Sequence, residues 1–437
     1  MLLLYILNIA AYPLLLVFIP IYFTRRLRLG WINPLTVVAG MNLPGLLITT
    51  LTGPAFLLEG SLFNPYFQYA MLVDNVHSAL QQVVLIFLVR LFLSNSRLKR
   101  LLERISSQGG QAKPGRMRAA AWIFLALYVI FFVMLAQHSF SVLQWIADPR
   151  TGYQLHRTGA GQWYALAITS LSVSIVLATL YGPNPNRTLL LTPIYLVLIY
   201  ILGSKGLVLF FAEYIVVVLA LQHFRHLKPA IIVLGVMAAG LVINNLFSMT
   251  GSFGLQDLAE YSNGFTNAAM YYQRYLAGNM PLLHGDILAS SFWSLVPRAL
   301  YPDKPYVYGI MKIAEVFYPG AAENTSTPAF ATINFFADFG WSGVIFDALF
   351  TPSNWLTGFL YALVLPRLSR FDPKNQEGHS RTLFYAFLLL SAPAFLMFFD
   401  FPNNVVLFAA VIIPIDVINR LRFLFSAVPQ SGAAFSD

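Results

Sequence analysis

The 437-residue chain contains no cysteine. This absence excludes disulfide bonds, thiolate metal sites and a cysteine nucleophile. Charged residues are also scarce, at 10% of the sequence, whereas hydrophobic residues make up 58% of it. Such a composition excludes an ordinary soluble domain and is typical of proteins that cross the membrane many times.

Motifs of nucleotide and metal chemistry are missing as well. No GxxxxGK[ST] sequence is present, and the short run GSKG at 203–206 lacks both the spacing and the preceding strand of a phosphate-binding loop. No HExxH motif, aspartate cluster or closely spaced histidine pair predicts a metal site. We therefore expect neither a metal nor a cofactor, and an enzyme of this sequence must draw its energy from an activated substrate.

What is present is a series of apolar runs, about eleven (ten to twelve) of which predict membrane-spanning helices. They cover approximately residues 2–23, 32–52, 74–94, 119–147, 162–181, 188–202, 206–222, 229–247, 339–365, 382–399 and 403–419. When the topology is traced from an outside N-terminus, the basic clusters between the runs fall on one face, which is the positive-inside pattern. The sequence thus predicts an all-α polytopic membrane protein. Its net charge of +9 indicates topology and not a nucleic-acid partner.

The runs divide the chain into three parts and a tail. Residues 1–247 form an N-terminal transmembrane bundle, 332–425 form the C-terminal transmembrane helices, and the small, polar residues 426–437 are predicted to be disordered. Between the two bundles lies a polar stretch, 248–331, in which charges recur too often for any membrane span. We expect this large helical loop to lie in water or at the membrane surface and to carry the chemistry.

One spacing recurs in the predicted external loops. Three arginines are each separated from a glycine by ten residues. The pairs are Arg150 with Gly161, Arg274 with Gly285, and Arg298 with Gly309. Because glycine permits tight turns, each glycine is predicted to return the arginine-bearing segment to the membrane.

The most distinctive local sequence is LVPRALYPDKP at 295–305. Its three prolines restrict the backbone, so that Arg298, Asp303 and Lys304 stand on a stiff loop. We interpret this as a preorganised anion site, in which a guanidinium grips a phosphate by two bonds and an ammonium adds a point charge. The alternative is a rigid surface turn with a solvated ion pair.

Aromatic residues crowd the same large loop, among them Tyr271, Tyr272, Trp293 and Tyr301. Tyrosine and tryptophan are typical of membrane interfaces, where the polar end of the ring contacts water and the rest lies in an apolar environment. They also pack against the apolar faces of sugar rings while bonding the hydroxyl edges. The sequence leaves both interpretations open.

Taken together, these residues resemble a known family. The PRALYPDKP stretch, the run TINFFADFGWSG at 332–343, the arginine–glycine spacing and GSKG before an apolar run look like the Wzy-type polymerases of O-antigen and exopolysaccharide, the xanthan type included. The resemblance implies a GT-C-like fold in the bacterial inner membrane. It also implies an active site at the periplasmic face that joins undecaprenyl-diphosphate-linked oligosaccharides without a metal. A chain-length regulator (co-polymerase) and a flippase are the implied partners.

The resemblance also suggests roles for individual residues. Arg150 and Arg298 match arginines required in two periplasmic loops, and Lys205 stands where related enzymes often have arginine, although lysine cannot make a two-pronged contact. As a hypothesis, the acceptor hydroxyl attacks the anomeric carbon of the donor and undecaprenyl diphosphate leaves. The catalytic candidates are Arg298, Arg274 and, as bases, His284, Asp303 and Glu323, with Glu315 and Asp338 also considered. The substrate-binding candidates are Lys205, Arg150, Lys304, Arg157, Tyr301, Tyr271, Tyr272 and Trp293.

Two other functions compete with polymerisation. A flippase or other transporter of lipid-linked oligosaccharides would place ionisable residues deep in the membrane, where Glu213 and Asp347 are the main candidates. An O-antigen ligase would share the donor and the fold and differ only in its acceptor.

Overall fold

The computed structural model describes twelve stretches of the chain. They are residues 2–27, 35–36, 64–97, 100, 114–139, 141–155, 160–181, 185–203, 264–298, 300–320, 330–350 and 355. Every regular element within them is a helix, in agreement with the predicted all-α class. The predicted runs at 206–222, 229–247, 382–399 and 403–419, most of 32–52, and the tail 426–437 lie outside the described residues.

The first predicted run is helical throughout. It consists of α1 (Leu2–Pro13), a π-helical turn (Leu14–Phe18) and α2 (Ile19–Arg26). Pro20 lies in the first turn of α2, directly after the π-helical turn, and it has no N–H group to donate to that preceding turn. The helix ends at the arginine cluster that the sequence places on the inner face.

The next described helix, α3 (Pro65–Ser94), begins about nine residues before the apolar run that starts near 74. Its start is set locally, because the Asn64 side chain accepts the Tyr66 N–H at 2.9 Å and Pro65 takes the first helical position. The additional N-terminal turns carry Phe67, Ala70 and Met71, which are buried against residues far along the chain. The onset of hydropathy alone therefore underestimates the length of this helix.

The predicted run 119–147 is interrupted. Helix α4 (Pro114–Ser139) ends, and α5 (Val142–Ala147) starts separately behind a capping box in which Ser141 and Gln144 satisfy each other's backbone N–H groups. The capping box thus separates a six-residue helix from the end of the long one.

Three further helices complete a group with α4 and α5: α6 (Pro149–Leu155), α7 (Gly161–Leu180) and α8 (Pro185–Ile201). α4 packs along α7, and α8 packs on α7 as well. Buried polar side chains bond to the backbone of neighbouring helices: the Ser174 hydroxyl donates to Ala121 O at 2.8 Å and Trp145 Nε1 donates to Ile201 O at 2.8 Å. These bonds satisfy polar groups that have no access to water.

Among the described residues, three helices are long and apolar enough to cross a membrane. They cover Pro65–Leu91, Gly115–His138 and Gly161–Thr179. The protein is therefore an α-helical membrane protein, while the number of eleven spans stays a prediction.

The described part of the large loop 248–331 folds into short helices. They are α9 (Phe265–Leu276), α10 (Asp286–Ser290), a 3₁₀ turn (Ser291–Leu295) and α11 (Met311–Phe317), and they are followed by α12 (Asn334–Phe350). We call the described residues 264–298 and 300–320 the loop layer. The loop layer packs on the N-terminal half of α3 and on α12, so it is not a separate lobe.

An aromatic core joins these elements. Tyr272 of α9 lies with its ring centroid 4.9 Å from that of Phe336 on α12 and 4.9 Å from that of Tyr69 on α3. Trp341 Nε1 donates to the Tyr69 hydroxyl at 2.8 Å. Edge-to-face aromatic pairs add about 0.5–1.5 kcal/mol each beyond the area they bury. Three segments that are distant in sequence thus share one core.

We predict that Phe336→Ala destabilises the protein by about 3–5 kcal/mol, because it empties a site in which the side chain is fully buried. Phe346 on the same helix is the matched control, since it is 58% exposed and its truncation leaves no enclosed cavity. The difference is measured by unfolding both variants in detergent with heat or denaturant. Equal losses of stability in the two variants would contradict this description of the core.

Candidate substrate-binding site

The proline-rich segment forms a closed loop around its own arginine. The Arg298 guanidinium donates from Nη1 to Pro302 O at 3.1 Å and to Lys304 O at 2.5 Å, and from Nη2 to Pro305 O at 3.4 Å. It also lies 3.9 Å from the ring centroid of Tyr306. We call the described residues 296–298 and 300–306 the cation loop. The hydrogen bonds of Arg298 thus hold this loop closed.

Lys304 also makes a hydrogen bond across the cation loop. Its Nζ donates to Val296 O at 2.9 Å and lies 4.8 Å from the ring centroid of Tyr308. Burial, together with the positive charge of Arg298 nearby, lowers the pKa of Lys304. The predicted alternative, a turn with a solvated ion pair, is not what Lys304 forms, because its ammonium points into the loop.

The cation loop holds two positive charges whose partners are carbonyl oxygens and aromatic faces. Carbonyl dipoles satisfy N–H groups but do not neutralise a net charge. The three bonds of Arg298 use three of its five N–H groups, and the other two have no partner among the described residues. An anion that reaches this loop meets a fixed guanidinium edge and relieves the repulsion between the two cations.

Exposed aromatic and aliphatic side chains lie beside the cations. The rings of Trp293 and Tyr301 stack with centroids 5.4 Å apart and planes 23° apart. Tyr301 is 45% exposed, Phe292 60% and Leu300 80%. This edge of the loop layer suits a substrate with an apolar or sugar portion next to its charge.

Two of the three glycines in the arginine–glycine spacing form tight turns, as predicted. Gly285 has φ +91° and Gly309 has φ +57°, a region that side chains rarely enter. A Cβ on Gly309 would meet Ser291 Oγ at 2.9 Å, and the Gly309 N–H donates to Ser290 Oγ at 2.9 Å. Gly309 therefore closes the chain that follows the cation loop back onto the end of α10. Gly161 instead begins α7 in open space.

Asp338 of α12 fixes the position of α10. Its two carboxylate oxygens accept the backbone N–H groups of Ile287 at 3.0 Å and Leu288 at 2.9 Å. Carboxylates at helix N-termini stabilise the exposed N–H groups and the helix dipole. Asp338, considered from sequence as a base, is thus a structural anchor for the loop layer, and no local pattern indicated this role.

The remaining described candidates occupy separate positions in the loop layer. Arg274, in the last turn of α9, is exposed, with its guanidinium carbon 4.5 Å from the ring centroid of Phe317. His284 and Asp303 are exposed in turns. These three side chains do not take part in the bonds that close the cation loop.

Tyr271 and Tyr272 have a different role from the predicted sugar platform. Their relative exposures are 0% and 1%, and burial raises the pKa of Tyr271 well above its usual value. Both rings belong to the aromatic core, because the helical period of α9 turns them toward α3 and α12. Among the described aromatic candidates, the stacked pair of half-buried Trp293 and exposed Tyr301 fits the platform.

Arg150 lies in the other helix group, on α6. Its guanidinium carbon is 5.5 Å from the ring centroid of Tyr153. Gly203 packs so closely on α6 that a Cβ there would meet Pro149 O at 2.0 Å. The chain that enters the GSKG run therefore starts against the arginine-bearing helix. Lys205, Arg157 and Glu323 lie outside the described residues.

No three histidine, aspartate or glutamate side chains gather into a metal site within the described stretches. The chemistry that the arrangement supports is the recognition of an anion with an attached apolar or sugar group.

We predict that the affinity for a short-chain prenyl diphosphate decreases as the pH rises. The decrease is expected to begin at a lower pH than 10.5, the ordinary pKa of a lysine side chain. The lowered pKa of Lys304 means that its positive charge is lost early as the pH rises, and the anion then loses one partner. Lys304→Arg keeps its charge and is expected to bind with a flatter pH profile. Titrations of both proteins in detergent from neutral to alkaline pH make the comparison. Identical profiles would remove Lys304 from the anion site.

Comparison with known proteins shows similarity to O-antigen polymerases. The O-antigen polymerases of Salmonella typhimurium (strain LT2) and of Salmonella typhi are each 28% identical to this chain over 276 residues, which is 61% of this chain and 64% of each relative. The chain thus spans less than two thirds of the length of the relatives it matches. No protein-family model matches the sequence, and no solved structure matches it. The resemblance inferred from the motifs is thereby confirmed: over about three fifths of its length, this chain is similar to O-antigen polymerases.

Proposed function

We propose that this protein is a glycosyltransferase that joins lipid-linked oligosaccharide repeat units into O-antigen or exopolysaccharide. The observation that carries the proposal is the similarity to two O-antigen polymerases over 276 residues. The cation loop supports it, because a site for a sugar diphosphate needs fixed cations beside an aromatic surface.

In the proposed reaction, the terminal hydroxyl of one repeat unit attacks the anomeric carbon of another. The bond from that carbon to the diphosphate oxygen breaks, and undecaprenyl diphosphate leaves with the electron pair. Since a diphosphate is already a good leaving group, the protein mainly has to stabilise the charge that develops on it. We assign this work to the cation loop, with Arg274, Arg150 and Lys205 in support.

The proposal includes a location and an architecture. The chain would have about eleven spans in a GT-C-like arrangement in the bacterial inner membrane, with its active site on the periplasmic face and no metal in the transfer step. Its substrates would arrive from a flippase, and a chain-length regulator would act with it. Lipid-linked donors and acceptors fit a loop layer that packs directly on membrane helices.

One observation favours a second function, the transport of lipid-linked oligosaccharides. His77 and Asp347 form a buried contact of 2.5 Å between α3 and α12, and ionisable pairs inside membrane proteins are typical of proton-driven transporters. The sequence-based transporter candidate Asp347 therefore has a partner.

Purified protein in vesicles, supplied with an undecaprenyl-diphosphate-linked repeat unit, separates the possibilities. We expect a ladder of glycans of increasing length, formed without ATP. Substrate that moves between leaflets unchanged would instead establish a transporter, and transfer to lipid A core alone would establish a ligase.

Arg298→Ala is expected to lower the rate of polymerisation by about 10²–10³-fold, because a fixed donor to the leaving diphosphate is lost. Arg298→Lys keeps the charge without the two-pronged edge and is expected to fall between Ala and wild type. Arg26→Ala is the matched control, since Arg26 also lies over a tyrosine ring and bonds its hydroxyl, at the far end of α2. Normal ladders from membrane-inserted Arg298→Ala protein would remove Arg298 from the site.

A further inference from the structure

A row of ionisable side chains between α3 and α12 has no part in the cation loop. His77 Nε2 and Asp347 Oδ2 are 2.5 Å apart, and their residues are 7% and 2% exposed. The two positions are 270 residues apart in sequence. Ionisable groups are costly to bury in a helix that crosses a membrane, and those that are retained usually function.

Asp74 extends this row toward the loop layer. It lies three residues before His77 on α3, so the two side chains share a helical face, and its carboxylate interacts electrostatically with the imidazole. The Thr332 hydroxyl, just before α12, donates to the Asp74 carboxylate. Asp74 is partly exposed, whereas His77 and Asp347 are buried. Exposure therefore decreases from Asp74 to Asp347.

The proposed transfer requires a base for the attacking hydroxyl, and several carboxylates of the loop layer and α12 are already engaged. Both oxygens of Asp338 accept backbone N–H groups, and Glu315 accepts the Gly320 N–H at 2.5 Å. Asp303 and His284 are exposed in turns, where water screens their charge. Asp74 also accepts a hydrogen bond, from the Thr332 hydroxyl, but it differs from all four because it combines partial exposure with an imidazole on the same helical face.

We propose that Asp74 is the base that accepts the proton of the attacking hydroxyl, and that the His77–Asp347 pair holds that carboxylate in position. This assignment rests on the proposed polymerase function. The O–H bond breaks as the oxygen bonds to the anomeric carbon, and the proton moves to Asp74. The electron pair of the old glycosidic bond leaves with the diphosphate. Asp74 then returns the proton to water.

His77 and Asp347 act as positioning residues in this scheme. The contact of Nε2 with Asp347 fixes the ring orientation of His77. The groups that face Asp74 are His77 on its own helix, the Tyr272 phenol from α9 and the Thr332 hydroxyl at the start of α12. Asp347 acts on it through His77.

The test compares three variants of the full-length protein in the ladder assay. Asp74→Asn removes the base with little change in shape and is expected to slow polymerisation by about 10²-fold or more, with binding of the lipid-linked repeat unit retained. Thr332→Val removes the hydroxyl that stabilises the ionised carboxylate, so the acid side of the pH–rate profile is expected to move to higher pH. A merely structural role of the row would leave that profile in place.

Asn75→Ala is the matched control. Asn75 is adjacent to Asp74, 5% exposed, and its side-chain amide donates to Asn8 O at 3.1 Å. This variant loses a buried hydrogen bond in the same turn but keeps the ionisable row. We expect lower stability and an unchanged rate per folded molecule.

Two outcomes would overturn the assignment. Asp74→Asn protein that polymerises at the wild-type rate excludes Asp74 as the base. A wild-type pH–rate profile in an active Thr332→Val variant excludes the Asp74 carboxylate as the group that sets that profile. A wild-type protein that makes no ladder overturns the polymerase itself. If Asp74→Asn then abolishes pH-driven movement of the lipid-linked substrate, the row belongs to a transporter.

Discussion

The position of the loop layer depends on the packing of the Phe336 ring. This ring lies 4.9 Å from Tyr272 and 5.9 Å from Trp341, so one side chain of α12 contacts both α9 and the indole that bonds Tyr69 on α3. A polar segment beside a membrane has little apolar surface with which to form a core of its own. The buried face of α9 supplies that surface only because α3 and α12 extend beyond their apolar runs to meet it.

This shared core explains how a loop rich in proline and charge is held in place. Asp338, two residues after Phe336, caps the start of α10, and Gly309 closes the chain after the cation loop onto the end of α10. The cation loop then needs only internal bonds. Arg298 donates three of its N–H groups, and Lys304 one, to carbonyl oxygens of the same loop, and both keep their net charge. A substrate anion therefore meets cations that are already ordered, and ordering them does not reduce the binding free energy.

The same two helices carry the row of ionisable side chains Asp74, His77 and Asp347, of which the last two are buried. Asp74 follows Val73 of the loop-layer core directly, and Asp347 lies one turn beyond Gly343 on α12. Any movement of the loop layer on α3 and α12 therefore changes the surroundings of these groups. In the proposed enzyme, this links the position of the lipid-borne substrate to the base that activates the acceptor.

The sequence by itself determined the features that depend on neighbouring residues. Composition and apolar runs predicted an α-helical membrane protein. The spacing of arginines and glycines predicted three tight turns, of which those at Gly285 and Gly309 form while Gly161 begins a helix. The stiffness of the cation loop likewise follows from its prolines. Only the tertiary structure decided that Tyr271 and Tyr272 are core residues, that Asp338 is an anchor and that His77 meets Asp347. Each of these depends on contacts between segments about 50 to 270 residues apart, for which the local pattern of a single sequence contains no signal.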